Sequence, residues 1–218
     1  MTQFRPTGFN VLPLVIKNLL IINALFFLAQ NTLNGPSIDF SFENTFALHA
    51  FQSDLFKPWQ LFTHMFLHGD LGHIFGNMLA LWMFGAILEN MWGPKMFTLF
   101  YFLCGIGAAL LHLGIVTYEL SIGSIQALVN INVPILGASG AVFGIIIAFV
   151  YLFPNTYIYI YFFLPMKAKW LGIIYFSYEL FFALRNSPTD GIARWAHVGG
   201  AVVGFILVFF LKRKHNRY

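Results

Sequence analysis

The sequence predicts an all-α fold whose helices cross a lipid bilayer several times. Only 9% of the 218 residues are charged and 59% are hydrophobic, whereas an ordinary soluble domain carries about 25% charged residues. The mean hydropathy of +0.75 and the 27 phenylalanines leave too few polar side chains to cover a soluble core. Residues 96–116 and 135–153 contain no Asp, Glu, Lys or Arg, and apolar runs of about 20 residues cross a bilayer. We therefore expect a polytopic membrane protein.

Six apolar segments have about the length that a transmembrane helix requires. They are residues 11–29, 71–91, 96–116, 135–153, 170–184 and 195–211. The first contains Lys17, Asn18 and Asn23 and lacks a strongly basic start, so we interpret it as a true span and not as a cleavable signal peptide. The fifth is short and contains Glu179. Because no internal repeat is visible, we expect one membrane domain over residues 1–218, with six transmembrane helices.

The distribution of cations predicts the orientation of these helices. If both termini are cytoplasmic, nine of the 12 Lys and Arg residues lie inside, in agreement with the positive-inside rule. The basic run Lys212-Arg213-Lys214, followed by Arg217, predicts an anchor facing anionic lipid and not a nucleic-acid site. Residues 30–70 are rich in Phe and Trp, as in segments that lie along a membrane interface. We expect a multi-pass membrane protein with both termini in the cytoplasm, in contact with membrane lipid.

Four polar residues lie near the outer ends of the second, fourth and sixth predicted spans. They are His73, Asn77, Ser139 and His197. At a rise of about 1.5 Å per residue, their depths differ by no more than about two helical turns. His73 and Asn77 also share a helix face, since they are four residues apart. Polar side chains are costly inside a bilayer, so these four residues are candidates for a functional site.

Two pairs of glycines accompany the candidate serine and histidine. Gly140 and Gly144 lie on the fourth span, and Gly200 and Gly204 lie on the sixth. Small residues at this spacing let helix backbones approach closely. We therefore expect the serine of one helix and the histidine of the other to come within hydrogen-bonding distance, as activation of a serine nucleophile requires.

An acyl-transfer site also needs hydrogen-bond donors for the oxyanion of its tetrahedral intermediate. His73 and Asn77 offer side-chain donors, and Ser139 offers its own N–H group if it begins a helix. We find no carboxylate at the right depth to orient His197. The sequence thus predicts a catalytic Ser–His dyad.

Three motifs together resemble those of the rhomboid intramembrane serine proteases. They are His-x4-His-x3-Asn at 68–77, Gly-Ala-Ser-Gly at 137–140 and Ala-His-Val-Gly-Gly at 196–200. They fall on the second, fourth and sixth predicted spans, and the resemblance covers roughly residues 10–212. The chain is similar to the basic six-span prokaryotic form of this family, which implies a location in a bacterial inner membrane. The resemblance implies a six-transmembrane-helix rhomboid-like bundle.

The resemblance also implies an activity and a role for each residue of the site. Ser139 corresponds to the nucleophile and His197 to the general base, while His73 and Asn77 correspond to the oxyanion-stabilising pair. No cofactor and no metal are expected. The substrates implied are single-span membrane proteins, cleaved within or near their transmembrane segments through an acyl-enzyme. The alternative is a catalytically inactive rhomboid-like protein that binds other membrane proteins.

Three further positions are compared with the family pattern. Gln60, after Trp59, stands where Arg is usual, which weakens expectations about the packing of the first loop. Phe143 stands where some relatives have a Tyr that stacks on the catalytic histidine, and it keeps the ring. The segment 89–93, Glu-x2-Trp-Gly, resembles the acidic-to-glycine segment that follows the second span of the family.

A metal site and a transporter are the rival interpretations. His64 and His68 have the spacing of a zinc pair, with Asp70 and His73 nearby, but Met65 stands where such an enzyme needs a glutamate. A transporter predicts an inverted repeat, and none is visible. Both interpretations are therefore disfavoured.

Two remaining polar residues and one loop complete the expectations. We assign His112 a structural role and expect Glu179 to be hydrogen-bonded or to face water. Because hydrolysis needs water, we expect a polar cavity between spans two, four and six. It should open outward beneath a loop at 186–192.

Overall fold

The computed structural model describes residues 8–33, 41–129, 131–160, 163–185 and 194–215. The described residues are mostly helical, with a 3-10 turn at His64–Phe66 and a π-helical turn at Leu81–Gly85. The α-helices are α1 (Leu14–Leu33), α2 (Phe42–Phe46), α3 (Gln60–Thr63), α4 (Leu71–Ala80), α5 (Ala86–Trp92), α6 (Pro94–Ser121), α7 (Ile125–Val129), α8 (Ser139–Leu152), α9 (Ala168–Arg185) and α10 (Arg194–His215).

Four helical segments are long and apolar enough to cross a membrane. They are Leu14–Leu33, Leu71–Trp92, Pro94–Ser121 and Arg194–Lys212. The second joins α4 and α5 through the π-helical turn. The remaining two expected spans correspond to α8, which has 14 residues, and to α9, which contains Lys169, Glu179 and Arg185. A polytopic, mostly helical membrane protein is confirmed, and the count of six spans stays a prediction.

The fourth expected span begins later than the sequence predicted. Ile135 pairs with Leu48 in an antiparallel bridge, in which each N–H group donates to the other residue's carbonyl oxygen at 2.8 Å. Gly137 has φ +128°, which no helix accommodates. The helix therefore begins at Ser139. At about 1.5 Å per residue it is about 21 Å long, shorter than the hydrocarbon layer of about 30 Å, so the serine need not lie at the membrane surface.

A small hairpin departs from the expected all-α fold. Strands β1 (Tyr157–Ile160) and β2 (Leu164–Lys167) pair antiparallel between α8 and α9. The alternating aromatic and branched residues of Tyr157–Ile160 are typical of a strand. This signal lay outside the predicted spans, which is why the interpretation of apolar runs missed it.

Large apolar side chains cover the outer faces of the long helices. Leu25, Phe75, Leu184 and Phe210 are each more than half exposed. Apolar surface of this extent would promote aggregation in water. In a bilayer it contacts lipid, in agreement with the composition.

The interior is built around α6, α8 and α10. A Cβ atom added to Gly144 would lie 2.5 Å from Cys104 Sγ of α6. A Cβ on Gly200 would overlap the carbonyl oxygen of Gly140, and one on Gly204 would lie 2.5 Å from the Cα of Gly144. The backbones of α8 and α10 are therefore in direct contact at both glycine pairs. Such contact supplies the van der Waals packing that holds helices together in lipid.

The first loop is organised by the side chain of Gln60, which is fully buried. Its Oε1 accepts hydrogen bonds from the N–H groups of His49 at 3.3 Å and Lys57 at 3.1 Å. Its Nε2 donates to the carbonyl oxygens of Asn44 and Leu55, both at 3.0 Å. The amide therefore uses both its donor and its acceptor atoms on backbone groups of the loop. The first loop is therefore well packed with Gln60 at the position where arginine is usual.

Glu89 joins the second span to the first. Its carboxylate oxygens accept hydrogen bonds from the N–H groups of Val15 and Ile16, both at 2.9 Å. These N–H groups belong to the first turn of α1, where no intrahelical acceptor exists. A carboxylate there also interacts favourably with the helix dipole. Glu89 thus fixes the start of α1 against the end of α5.

Candidate active site

The structure brings the predicted serine and histidine together. Ser139 is the first residue of α8 and His197 lies in the first turn of α10. His197 Nε2 is 2.8 Å from Ser139 Oγ. The ring of Phe143 stacks on His197, with centroids 4.5 Å apart and an interplanar angle of 13°. The contact of the two helices at their glycines thus places a base within hydrogen-bonding distance of a hydroxyl, which is the arrangement that activates a serine.

A carboxylate adjoins the other nitrogen of the same histidine. Glu179 Oε2, on α9, is 3.0 Å from His197 Nδ1. The same oxygen accepts a hydrogen bond from Arg194 Nη1 at 3.4 Å. Glu179 is only 4% exposed, so this contact is enclosed by protein. The expectation that no carboxylate is available to His197 is therefore wrong, whereas the expectation that Glu179 is hydrogen-bonded is confirmed.

The sequence did contain a signal for this contact. A buried glutamate in a membrane helix requires a charged or hydrogen-bonding partner. Arg194 and His197 are three residues apart and so lie on the same face of α10. The Arg194 guanidinium also lies over the rings of Phe182, 4.8 Å from its centroid, and Tyr178, 5.3 Å from its centroid, both on α9. A search for partners of Glu179 among residues of the same depth would have reached this face.

His73 lies opposite the catalytic pair, with its Nε2 directed toward the serine. The N–H group of Gly69 donates to His73 Nδ1 at 3.4 Å, which leaves Nε2 as the protonated nitrogen of the neutral ring. A Cβ atom on Gly137 would lie 2.8 Å from His73 Nε2 and 3.5 Å from Ser139 Oγ. Both atoms therefore border one small space that glycine keeps open. A donor faces the position where an oxyanion would form.

Further donors line the cavity that contains Ser139. Asn77 is buried, and its Nδ2 has no hydrogen-bond partner among the described residues. The first intrahelical bond of α8 runs from the N–H group of Val142 to the carbonyl oxygen of Ala138. No side chain caps this helix in the described structure, so the N–H groups of its first turn stay available. The side-chain amide and the backbone amides can together stabilise a negative oxygen.

The first loop holds the segment that precedes the serine. The N–H group of Gly137 donates to the carbonyl oxygen of His64 at 2.9 Å. His64 Nδ1 in turn donates to the carbonyl oxygen of Gln60 at 2.8 Å. Burial lowers the pKa of His64 to about 4, so this ring is neutral at pH 7. The buried loop thereby fixes the turn at Gly137 that leads into α8.

The two histidines with zinc-like spacing, His64 and His68, are both buried in the first loop. Burial also lowers the pKa of His68, to about 3. The His68 ring packs edge-on against His73, with centroids 5.0 Å apart. Among the described residues, no group of three or more His, Cys, Asp and Glu side chains is arranged to hold a metal ion. Within the described residues, the His64 ring is thus held by its hydrogen bond to Gln60 and the His68 ring by its contact with His73.

A cavity of about 1160 Å³ surrounds these residues. It is lined by Ser139 and His197 and extends to Asp70, Glu119 and Arg194. These last three lie where α4 and α10 begin and where α6 ends, which is the predicted outer side of the bundle. The cavity exceeds the range of about 300–1,000 Å³ that is usual for small-molecule sites. The loop at 186–192, expected to cover it, lies outside the described residues.

His112, in α6, is the residue expected to have a structural role. It lines the same cavity, and its Nδ1 has no hydrogen-bond partner among the described residues. The structural role assigned to it stays a prediction.

A comparison with known families identifies the chain. The profile described as Rhomboid domain matches residues 55–214, which include every candidate site residue. The chain belongs to the rhomboid family.

Curated rhomboids from several sources are similar to this chain. "RHOMBOID-like protein 12, mitochondrial" of Arabidopsis thaliana is 30% identical over 209 residues, which cover 94% of this chain and 60% of the relative. "Rhomboid protease GluP" of Bacillus subtilis is 30% identical over 185 residues, which cover 83% of this chain and 31% of the relative. "Rhomboid protease AarA" of Providencia stuartii is 29% identical over 171 residues, which cover 74% and 59%.

The lengths and sources of these relatives bear on two expectations. The aligned chain spans between 31% and 60% of the length of these three relatives. Their names include mitochondrial and bacterial proteins. Relatives of both kinds support an integral membrane rhomboid. The location in a bacterial inner membrane and the basic six-span prokaryotic type stay predictions.

Proposed function

We propose that this rhomboid is an intramembrane serine endopeptidase that cleaves single-span membrane proteins within or near their transmembrane segments. The proposal depends above all on the distance of 2.8 Å between His197 Nε2 and Ser139 Oγ. It is supported by two relatives whose names contain "Rhomboid protease". The donors around the serine and the cavity beside it are the other elements that peptide hydrolysis requires.

The proposed reaction follows from the atoms present. Ser139 Oγ attacks the carbonyl carbon of the scissile peptide bond while His197 Nε2 takes the hydroxyl proton. The carbonyl oxygen becomes an oxyanion and accepts hydrogen bonds from His73, Asn77 and the N–H group of Ser139. The carbon–nitrogen bond then breaks, and His197 gives its proton to the leaving amine. Water, activated by the same histidine, hydrolyses the acyl-enzyme and restores the serine hydroxyl.

The location of the site determines where cleavage would occur. With both termini in the cytoplasm, as the cation distribution predicts, Ser139 lies in the outer half of the bilayer. The cavity extends to the helix ends at Asp70 and Glu119, so water can enter from that side. We therefore propose cleavage near the outer end of a substrate helix, in the inner membrane of a bacterium.

The test uses purified protein in detergent or in lipid vesicles, with a fluorogenic transmembrane peptide and a fluorophosphonate label. Ser139→Ala should abolish both turnover and labelling, because it removes the hydroxyl and keeps a residue that a helix tolerates. His197→Ala should lose both as well, since an unassisted hydroxyl is a poor nucleophile. Ser121→Ala, at an exposed serine at the end of α6, is the matched control and should behave as the wild type.

Two outcomes would contradict the proposal. Turnover by Ser139→Ala above a mock-purified control would exclude the serine mechanism. A folded wild-type protein that binds the peptide without cleaving it would instead support the inactive rhomboid-like binding protein.

A further inference from the structure

The most informative unexplained residue is the buried glutamate of α9. Glu179 is 4% exposed and lies on a helix that contributes no other group to the catalytic pair. Burying a carboxylate is expensive unless it is paired and hydrogen-bonded. Its Oε2 meets both His197 Nδ1, at 3.0 Å, and Arg194 Nη1, at 3.4 Å. Packing alone therefore does not explain why a carboxylate is buried at this position.

The two nitrogens of His197 face chemically different partners. Nε2 faces the Ser139 hydroxyl, which can donate, and Nδ1 faces a carboxylate, which in its ionised form only accepts. The neutral ring that satisfies both contacts carries its proton on Nδ1. Its lone pair on Nε2 is then directed at the hydroxyl, and this is the tautomer that a general base requires. Without an acceptor at Nδ1, the proton could reside on Nε2 and block proton transfer.

We propose that Glu179 is a positioning residue for His197, so that this rhomboid uses a Ser139–His197–Glu179 triad and not a dyad. The inference rests on the proposed function, because it assigns Glu179 a part in the same reaction. The carboxylate accepts the Nδ1–H bond, fixes the ring against Phe143, and stabilises the imidazolium that forms when Nε2 takes the serine proton. The proton stays on the histidine throughout, and Glu179 is not protonated.

Arg194 completes the arrangement from the other side. Its guanidinium donates to the carboxylate oxygen that also faces His197, and it is held over the rings of Tyr178 and Phe182. The ion pair and the ring contacts together restrict the rotation of the glutamate side chain. The carboxylate is thereby held in position against α10.

The first test compares Glu179→Gln with the wild type. The amide has the same shape but no charge, and its NH₂ group can donate to Nδ1 and favour the wrong tautomer. We expect kcat/KM to fall at least about 100-fold, chiefly in kcat, because removing the acid of a soluble triad costs about 10⁴-fold. KM should change less than about twofold, since no substrate contact is lost. Glu43→Gln, on α2 and remote from α9 and α10, is the matched control and should keep full activity.

The second test reads the contact directly and does not need activity. A histidine Nδ1 proton shared with a carboxylate gives a strongly downfield proton resonance. Ser139→Ala should show this resonance, since the nucleophile is not part of the contact, and His197→Asn should lack it. Introducing Glu179→Gln into Ser139→Ala should remove it or move it upfield.

A third variant keeps the inference testable if Glu179→Gln folds poorly. Glu179→Asp retains the charge but shortens the side chain, so it should recover part of kcat and part of the downfield resonance. If Glu179 served only packing, the amide, which keeps the length of the side chain, would be at least as active as the shorter acid. That order of activities would overturn the inference.

The remaining outcomes separate the inference from the proposed function. If Ser139→Ala is inactive and Glu179→Gln matches the wild type, the protease stands and the positioning role is overturned. If the wild type itself is inactive, the proposed function fails. The resonance then decides the contact alone: its loss in Glu179→Gln supports the orientation of His197, and its absence from Ser139→Ala overturns it.

Discussion

Asn77 illustrates how a single buried amide can serve the transition state. Its side chain lies in the second span, and its Nδ2 lacks a partner among the described residues. Asn77 also lines the cavity that contains Ser139, so this donor is available to a species bound there. An oxyanion that exists only during the reaction would pair with it at that stage.

We predict that Asn77→Ala lowers kcat by about 10- to 1,000-fold, the range for loss of one oxyanion donor. The loss is partial because His73 and the N–H group of Ser139 remain. kcat/KM should fall by a similar factor, since the interaction is made only in the transition state. Steady-state kinetics on the transmembrane peptide measure both constants.

Asn31→Ala is the control for this substitution, because Asn31 is exposed and its side chain donates to the carbonyl oxygen of Phe27 in the same helix. A rise in KM at constant kcat would assign Asn77 to substrate binding. A lower thermal midpoint with unchanged kinetics would make it a packing residue.

At the scale of elements, the site depends on the contact between α8 and α10. Gly200, three residues after His197, faces the backbone of Gly140, which directly follows Ser139. No side chain fits between the two backbones, so any increase in size must separate the helices. Separating them would also lengthen the bond between His197 and Ser139.

We predict that Gly200→Ala lowers the thermal midpoint in detergent and abolishes most of the activity, because its Cβ would overlap a backbone carbonyl oxygen that cannot move aside. Overpacking of this kind costs typically about 1–3 kcal/mol. Tryptophan fluorescence during heating provides the measurement.

Gly114→Ala is the matched control on α6, since a Cβ there meets nothing within 4 Å. It should leave the midpoint unchanged or raise it, as Ala in a helix is about 0.5–1 kcal/mol more favourable than Gly. Equal midpoints for Gly200→Ala and the wild type would show that the two helices are not packed as described.

At the scale of the whole molecule, the first loop and the helical bundle form one connected structure. The carbonyl oxygen of His64, in the loop, accepts a hydrogen bond from the N–H group of Gly137. His64 and His68 are both buried in neutral form, with pKa values of about 4 and about 3. In the unfolded chain a histidine titrates near pH 6.5. Their burial therefore links the stability of the protein to pH.

We predict that stability is constant above about pH 6.5 and falls as the pH drops toward 4. In that window the unfolded chain binds protons that the folded protein does not, so acid favours unfolding. Each histidine contributes a slope of at most about 1.4 kcal/mol per pH unit. Thermal midpoints in detergent between pH 8 and pH 4.5 measure the effect.

His64→Gln should make this dependence shallower, since an amide does not titrate and can still donate to the carbonyl oxygen of Gln60. A midpoint that does not change between pH 7 and pH 4.5, or that rises in acid, would contradict the buried neutral state of the two rings.

The sequence by itself determined the class of protein and most of the chemical groups at the site. Composition and apolar runs are local properties, so they specified a polytopic membrane protein and the helices around 11–29, 71–91, 96–116 and 195–211. The spacing of small and polar residues likewise singled out Ser139 and His197 before their contact was known.

Only the tertiary structure decided which residues from different helices meet. A glutamate within an apolar helix indicated that Glu179 needs a polar partner, but which residue of α10 it meets depends on how α9 is rotated against α10. The same is true of Gln60, whose four partners come from three parts of the loop, and of the late start of α8, which follows from the pairing of Ile135 with Leu48. The hydropathy of a helix indicates whether it faces lipid or water. Which helices pack against it depends on the shape and hydrogen bonding of side chains that are distant in sequence.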